Sequence, residues 1–161
     1  KELFEGREEL FKGLWIENKW DFSKKYPVIK MDFGEGVFKK REELRKKIDE
    51  ALKINQDRLG VQCEFETISG RFRELIAKSA EKHNQRVVIL IDEYDKPILD
   101  NIDTPEIAQE MREELRNLYS VLKPTDAYIK FVMLTGVSKF SKVSLFSGLN
   151  NLWDITMEGN F

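Results

Sequence analysis

Apolar positions along this chain fall into two alternating rhythms. In residues 38–59, Leu44, Ile48, Ala51, Leu52 and Leu59 recur at helical spacing, which predicts a helix with one buried stripe. Residues 69–83 repeat the rhythm through Phe72, Leu75, Ile76, Ser79 and Ala80. Ser69 is the predicted N-cap there, and Asn84 the stop, with His83 at the helix end as a cap suited to the dipole. Thr104-Pro105-Glu106 combines a cap, a first-turn proline and an acid at the positive end of a third helix. Its stripe is Ile107, Met111, Leu115, Leu118 and Leu122, and Pro124 marks its end.

Between the helices lie runs of the other kind. Residues 26–33 alternate Ile29, Met31 and Phe33 with Lys30 and Asp32, the period of an edge or half-exposed strand. Val87-Val88-Ile89-Leu90-Ile91-Asp92 is continuously apolar until its last residue, as a buried parallel strand would be. Residues 129–135 predict a third strand and residues 153–156 a short last one. Residues 1–16 predict two short helices broken at Gly6 and Gly13. A short helix with Pro97 in its first turn is expected near residues 95–99. Strands separated by helices imply right-handed crossovers, a mostly parallel sheet and the α/β class.

Composition narrows the picture. A length of 161 residues suits one domain, and 41% hydrophobic residues supply a core. The net charge of −2 gives no general attraction to nucleic acid. Lys39, Lys40, Arg41, Lys46 and Lys47 share a helix with Glu42, Glu43, Asp49 and Glu50, so that face reads as solvated rather than as a nucleic-acid patch. The longest apolar run, Val87 to Ile91, falls far short of the roughly 20 residues that cross a bilayer. Lys1-Glu2-Leu3-Phe4-Glu5 lacks the features of a secretory signal, and the expected location is cytoplasmic. One cysteine, Cys63, and one histidine, His83, exclude an internal disulfide, a thiolate zinc cluster and a two-histidine metal site.

The sharpest chemical feature is the pair Asp92-Glu93 at the end of the apolar run. In open parallel sheets the C-terminal strand ends are where ligands bind. Two carboxylates at the rim of a core call for a cation. Mg²⁺ fits, because it takes one or two carboxylates and completes its shell with phosphate oxygens and water. This is the pattern of a Walker B motif: Asp92 holds the metal, and Glu93 orients or deprotonates the attacking water, worth about 10²–10⁴ in rate. The plain alternative is a strand that ends in a solvated turn. No Gly-x-x-x-x-Gly-Lys-Ser/Thr phosphate loop occurs in the sequence, and Gly34-Glu35-Gly36 reads as a turn. Asn18-Lys19-Trp20-Asp21 matches a guanine-reading pattern but sits too early for one. Around Glu93-Tyr94-Asp95-Lys96 the acid-x-Lys spacing of a PD-(D/E)XK nuclease fails, because Tyr94 occupies the acid position.

Four segments together resemble the AAA-ATPase-like family of P-loop proteins, whose members often carry a C-terminal PD-(D/E)XK nuclease-like domain. They are Phe4-Glu5-Gly6 with Glu9-Leu10-Phe11-Lys12-Gly13-Leu14-Trp15-Ile16, then residues 26–33, then residues 88–99 with Asp92-Glu93-Tyr94-Asp95-Lys96-Pro97, and finally Leu134-Thr135-Gly136-Val137-Ser138-Lys139-Phe140-Ser141-Lys142 running on to Leu152. The resemblance implies a P-loop NTPase-type three-layer sandwich truncated before its Walker A strand, with residues 1–161 forming one partial domain. It implies a Walker A motif shortly before residue 1, which would lie in the helix after the P-loop. It also implies use of ATP and Mg²⁺, and a sensor role for Thr135 at the end of the strand beside Walker B. Lys139 and Lys142 become candidates for phosphate or inter-subunit contact. Homo-oligomers, and nucleic acid bound through a fused nuclease-like domain, are partners the resemblance leaves open. The family's strand order, 5-1-4-3-2, would place residues 28–33, 87–92 and 129–135 side by side, and with the Walker A strand missing, 129–135 would stand at an edge or join only loosely to the Trp153 segment. Two functions follow: an ATPase core fragment, or a non-catalytic P-loop-derived interaction module.

Overall fold

The computed structural model describes residues 1–138, 145–146 and 152–155. Its elements, in chain order, are β1 (Val28–Asp32), α1 (Arg41–Leu59), α2 (Ile68–His83), β2 (Val87–Asp92), α3 (Lys96–Leu99), α4 (Pro105–Tyr119) and β3 (Ile129–Leu134). The strands are parallel and lie in the order β1-β2-β3. The expected α/β class is present, and among the described residues β3 stands at an edge of the sheet.

The two faces of the sheet differ, because successive side chains of a strand alternate sides. One face presents Ile29, Met31, Phe33, Ile89 and Ile91, which share a buried core with Leu44, Ile48 and Leu52 of α1, Phe72, Leu75 and Ile76 of α2, and Met111, Leu115 and Leu118 of α4. Each such side chain contributes roughly 1.5–3 kcal/mol when fully buried. The other face carries Val28 and Val88, both buried, then Phe131 and Met133, which are 43% and 40% exposed. Phe4 stacks on Phe131 with ring centroids 5.6 Å apart, so the N-terminal segment lies against this second face. Among the described residues the sheet therefore carries one full helical layer.

Several boundaries differ from the sequence pattern. Residues 1–16 form turns with one 3-10 helix at Glu8–Phe11 instead of two helices. Gly6 and Gly13 adopt φ of +75° and +77°, and the pieces between them are too short to nucleate a helix. Phe4 instead packs edge-on to Trp20 at 5.3 Å. Thr67, not Ser69, caps α2, its hydroxyl accepting from Gly70 N at 3.1 Å. Asn84 ends α2 in the left-handed conformation, and His83 Nε2 lies 3.2 Å from Leu59 O. Helix α4 stops at Tyr119, before Pro124. Trp153, Asp154 and Ile155 are not in a strand, and Thr156 lies outside the described residues.

Candidate functional site

Parallel strands end together, so the C-terminal residues of β1, β2 and β3 meet at one rim. Asp32 and Asp92 are direct partners in the β1–β2 register. Leu90 and Ile91 pair with Met133 and Leu134. Continuing that register sets Thr135 beside Asp92, on the face that carries Phe131 and Met133. The Thr135 hydroxyl donates to Asp92 Oδ1. The Thr135 backbone is held as well: its N–H donates to Ile91 O at 2.9 Å, and its carbonyl accepts from Tyr94 N at 3.0 Å.

Glu93 follows with φ of +53°. A non-glycine residue in the left-handed region costs about 1 kcal/mol, and for a glutamate it is uncommon. The turn carries the chain abruptly out of β2. It also leans Glu93 toward β1, where its Cγ lies 3.6 Å from the position a Cβ would take on Gly34. Asp32 lies near the same glycine. Its Oδ1 accepts from Gly34 N at 2.9 Å, and its Oδ2 pairs with Lys30 Nζ at 3.0 Å. The Gly34 N–H, then Lys30, hold the Asp32 carboxyl below the usual carboxylate range.

Beyond Glu93 the chain dips into the interior. Asp95 is fully buried. Its Oδ2 accepts from Ser138 N and Ser138 Oγ, both at 2.6 Å, and its Oδ1 from Val137 N at 3.3 Å. Tyr94 OH donates to Ser138 O at 2.8 Å. Burial, then the neighbouring Asp95 charge, pushes the Tyr94 phenol up. The segment after β3 is thus tied to the segment after β2.

Three residues named from the sequence, Asp92, Glu93 and Thr135, therefore share one rim. Lys139 and Lys142 lie outside the described residues. Sequence reasoning passed over Asp32, Tyr94 and Asp95. Asp32 was findable, because it ends β1 as Asp92 ends β2. Asp95 was not, because a carboxylate that opens a short helix reads as a cap. Among the described residues no three His, Cys, Asp or Glu side chains converge as a protein metal cage. Asp92 and its register partner Asp32 are the carboxylates at this rim that could hold a cation together with water. The N-cap sites of α1 and α2 belong to Lys40 and Thr67, and neither is a glycine-rich phosphate cradle.

No helix among the described residues is long and apolar enough to cross a membrane. No solved structure matches the chain. A protein of Azotobacter chroococcum mcd 1, named "Uncharacterized protein in vnfD 5'region", is 53% identical over 160 residues, covering 99% of this chain and 31% of that protein. The chain thus spans about a third of the length of this curated relative. The family described as "Predicted AAA-ATPase" matches residues 1–146. With adjacent carboxylates ending the middle strand of a parallel sheet, and that match running over nearly its whole length, the chain belongs to the AAA-ATPase-like family.

Proposed function

We propose that residues 1–161 are part of an ATPase core, the part that receives Mg²⁺ and the attacking water. The observation that carries this reading is the Thr135–Asp92 hydrogen bond at the C-terminal rim, next to Glu93. In this reading Asp92 holds Mg²⁺ through water, and Thr135 orients the Asp92 carboxylate and answers to the γ-phosphate. Glu93 accepts the proton of the attacking water or aligns it, a positioned base contributing about 10²–10⁴ in rate. A bound Mg²⁺ would draw charge from the phosphate oxygens during transfer. The phosphate loop this chemistry needs is not in the sequence. It is proposed to come from the remainder of a longer protein, which accords with the greater length of the relative and makes residues 1–161 a partial P-loop domain.

The test uses the full-length protein. Glu93→Gln keeps the shape and removes the base, so ATP should still bind while phosphate release slows by roughly a hundredfold. Asp92→Ala should weaken ATP binding in the presence of Mg²⁺ and leave Mg²⁺-free binding nearly unchanged. Turnover unaffected by Glu93→Gln would move the catalytic role to another residue. A full-length protein that binds no nucleotide would favour the non-catalytic interaction module.

A further inference from the structure

Asp95 has no place in the chemistry just described, yet it is fully buried and its carboxylate is bonded to one segment. A carboxylate in that position is costly unless donors meet it. It meets three, two from the Ser138 backbone and hydroxyl and one from Val137 N. All lie within three residues of Thr135. Gly136 sits between. A Cβ at Gly136 would fall 2.5 Å from Asp95 Oδ1 and 2.6 Å from Tyr94 Cε1, inside any real contact, so the chain there passes directly over the Tyr94-Asp95 pair. The left-handed turn at Glu93 is what brings Tyr94 and Asp95 beneath that segment.

We propose that Asp95 is a positioning residue: it clamps residues 136–138 against the turn after β2 and thereby sets the Thr135 hydroxyl on Asp92. The clamp acts on Thr135 from its C-terminal side, while the bonds to Ile91 O and from Tyr94 N hold its backbone from the strand side. Glu93, two residues before Asp95, is the candidate base, and Thr135, immediately before Gly136, is the candidate sensor, so one latch registers both halves of the rim. Gly136 is required because no side chain fits between the latch and the chain. The functional half of this proposal rests on the ATPase reading; the positional half does not.

The experiment follows the Thr135 methyl resonance in full-length protein labelled at threonine methyls, assigned by its loss in Thr135→Ser. Asp95→Asn turns an amide toward donors that need an acceptor. Ser138→Ala removes one hydroxyl donor and keeps the backbone bond. Both should shift the Thr135 methyl, and Val137→Ala, whose side chain is 79% exposed, should not. In turnover assays Ser138→Ala should lower kcat by about tenfold and Asp95→Asn by about a hundredfold, the range for losing hydrogen bonds to a charged group, with KM held within about twofold. An unmoved Thr135 methyl in Ser138→Ala overturns the proposal, and that variant decides the question if Asp95→Asn does not fold. A fall in kcat matched by an equal rise in KM also overturns it. Were the wild-type protein to show no turnover, the ATPase reading would fail while the methyl resonance still tested the clamp.

Discussion

Thr135 and Asp92 meet side chain to side chain across β2 and β3, the threonine hydroxyl donating to Asp92 Oδ1 at the solvent-facing rim of the sheet. An exposed pair of this kind contributes little to folding, because water replaces either partner at small cost. In the proposed ATPase reading its value lies in orienting Asp92. Thr135→Val should therefore lower ATP turnover of the full-length protein by roughly ten- to a hundredfold, while Thr135→Ser stays within a few-fold. Phosphate-release kinetics measure both, and equal turnover in valine and wild-type enzymes would refute the role.

Glu93 holds a backbone conformation that suits glycine. Comparing Glu93→Gly with Glu93→Ala isolates that strain, because both lose the carboxylate and only alanine retains the Cβ. The glycine variant should be more stable by about 1 kcal/mol in denaturant unfolding. An alanine variant of equal or greater stability would mean that the turn relaxes without loss.

Glu114 is only 1% exposed, yet it faces two guanidinium groups: Arg41 Nε donates to its Oε2 at 2.6 Å, and Arg45 Nε lies 3.3 Å from Oε1. The latter is an ionic contact, since Oε1 accepts no aligned hydrogen bond. The hydrogen bond to Glu114, then its charge, raises the Arg41 guanidinium. The pair joins the first residue of α1 to α4. Removing both arginines strands a buried carboxylate, and Arg41→Ala/Arg45→Ala should cost about 3 kcal/mol or more. Glu114→Gln should cost less, because Arg41 and Arg45, about half exposed, return to water. Thermal or denaturant melts that rank the two the other way would contradict this account.

Glu74 gathers three donors: Lys78 Nζ at 2.6 Å, Glu64 N at 2.7 Å and Phe65 N at 3.1 Å. Lys78 first, then the two backbone N–H groups, lower its pKa. A carboxylate whose folded pKa is depressed stabilises fully above its unfolded value of about 4.3 and loses that stabilisation as pH falls through the folded value. Stability should therefore decline on acidification below roughly pH 4.3, and Glu74→Gln should flatten that decline. Glu43, lowered by the N–H groups of Lys39 and Lys40, acts in the same direction. Parallel pH profiles for wild type and Glu74→Gln would remove Glu74 from the cause.

Among the described residues β3 is paired on one side only, and Phe131 and Met133 on its open face are 43% and 40% exposed. An unpaired edge beside an apolar face favours association. Residues 1–161 expressed alone should self-associate and bind Mg·ATP weakly. Met133→Lys should raise the monomer fraction in size-exclusion chromatography. A monomeric wild-type chain with tight calorimetric binding of Mg·ATP would overturn both expectations.

The strands and long helices were legible in the sequence because each repeats a period that burial imposes: the step of two in Ile29, Met31 and Phe33, the unbroken run before Asp92, the helical stripe of Leu44, Ile48 and Leu52. The N-terminal segment was misread because its apolar residues suggested local helices. In the structure Phe4 is instead satisfied by Trp20 and by Phe131 from a distant strand. Ser69 and Thr67 are both good caps by type, and only the backbone chose Thr67, whose hydroxyl reaches Gly70 N.

The same division holds at the rim. Asp92 and Glu93 stood out from the chain alone, because an apolar strand ending in two acids carries its meaning locally. That Thr135 lies beside them required the parallel register of β2 with β3, a contact across 43 residues of sequence. Asp95 lay further out of reach. Its burial and its three donors come from residues 137 and 138, which follow β3 and pass over it. Periodicity reports what a residue shares with its sequence neighbours, whereas a buried charge is tolerated by what the fold brings to it from elsewhere.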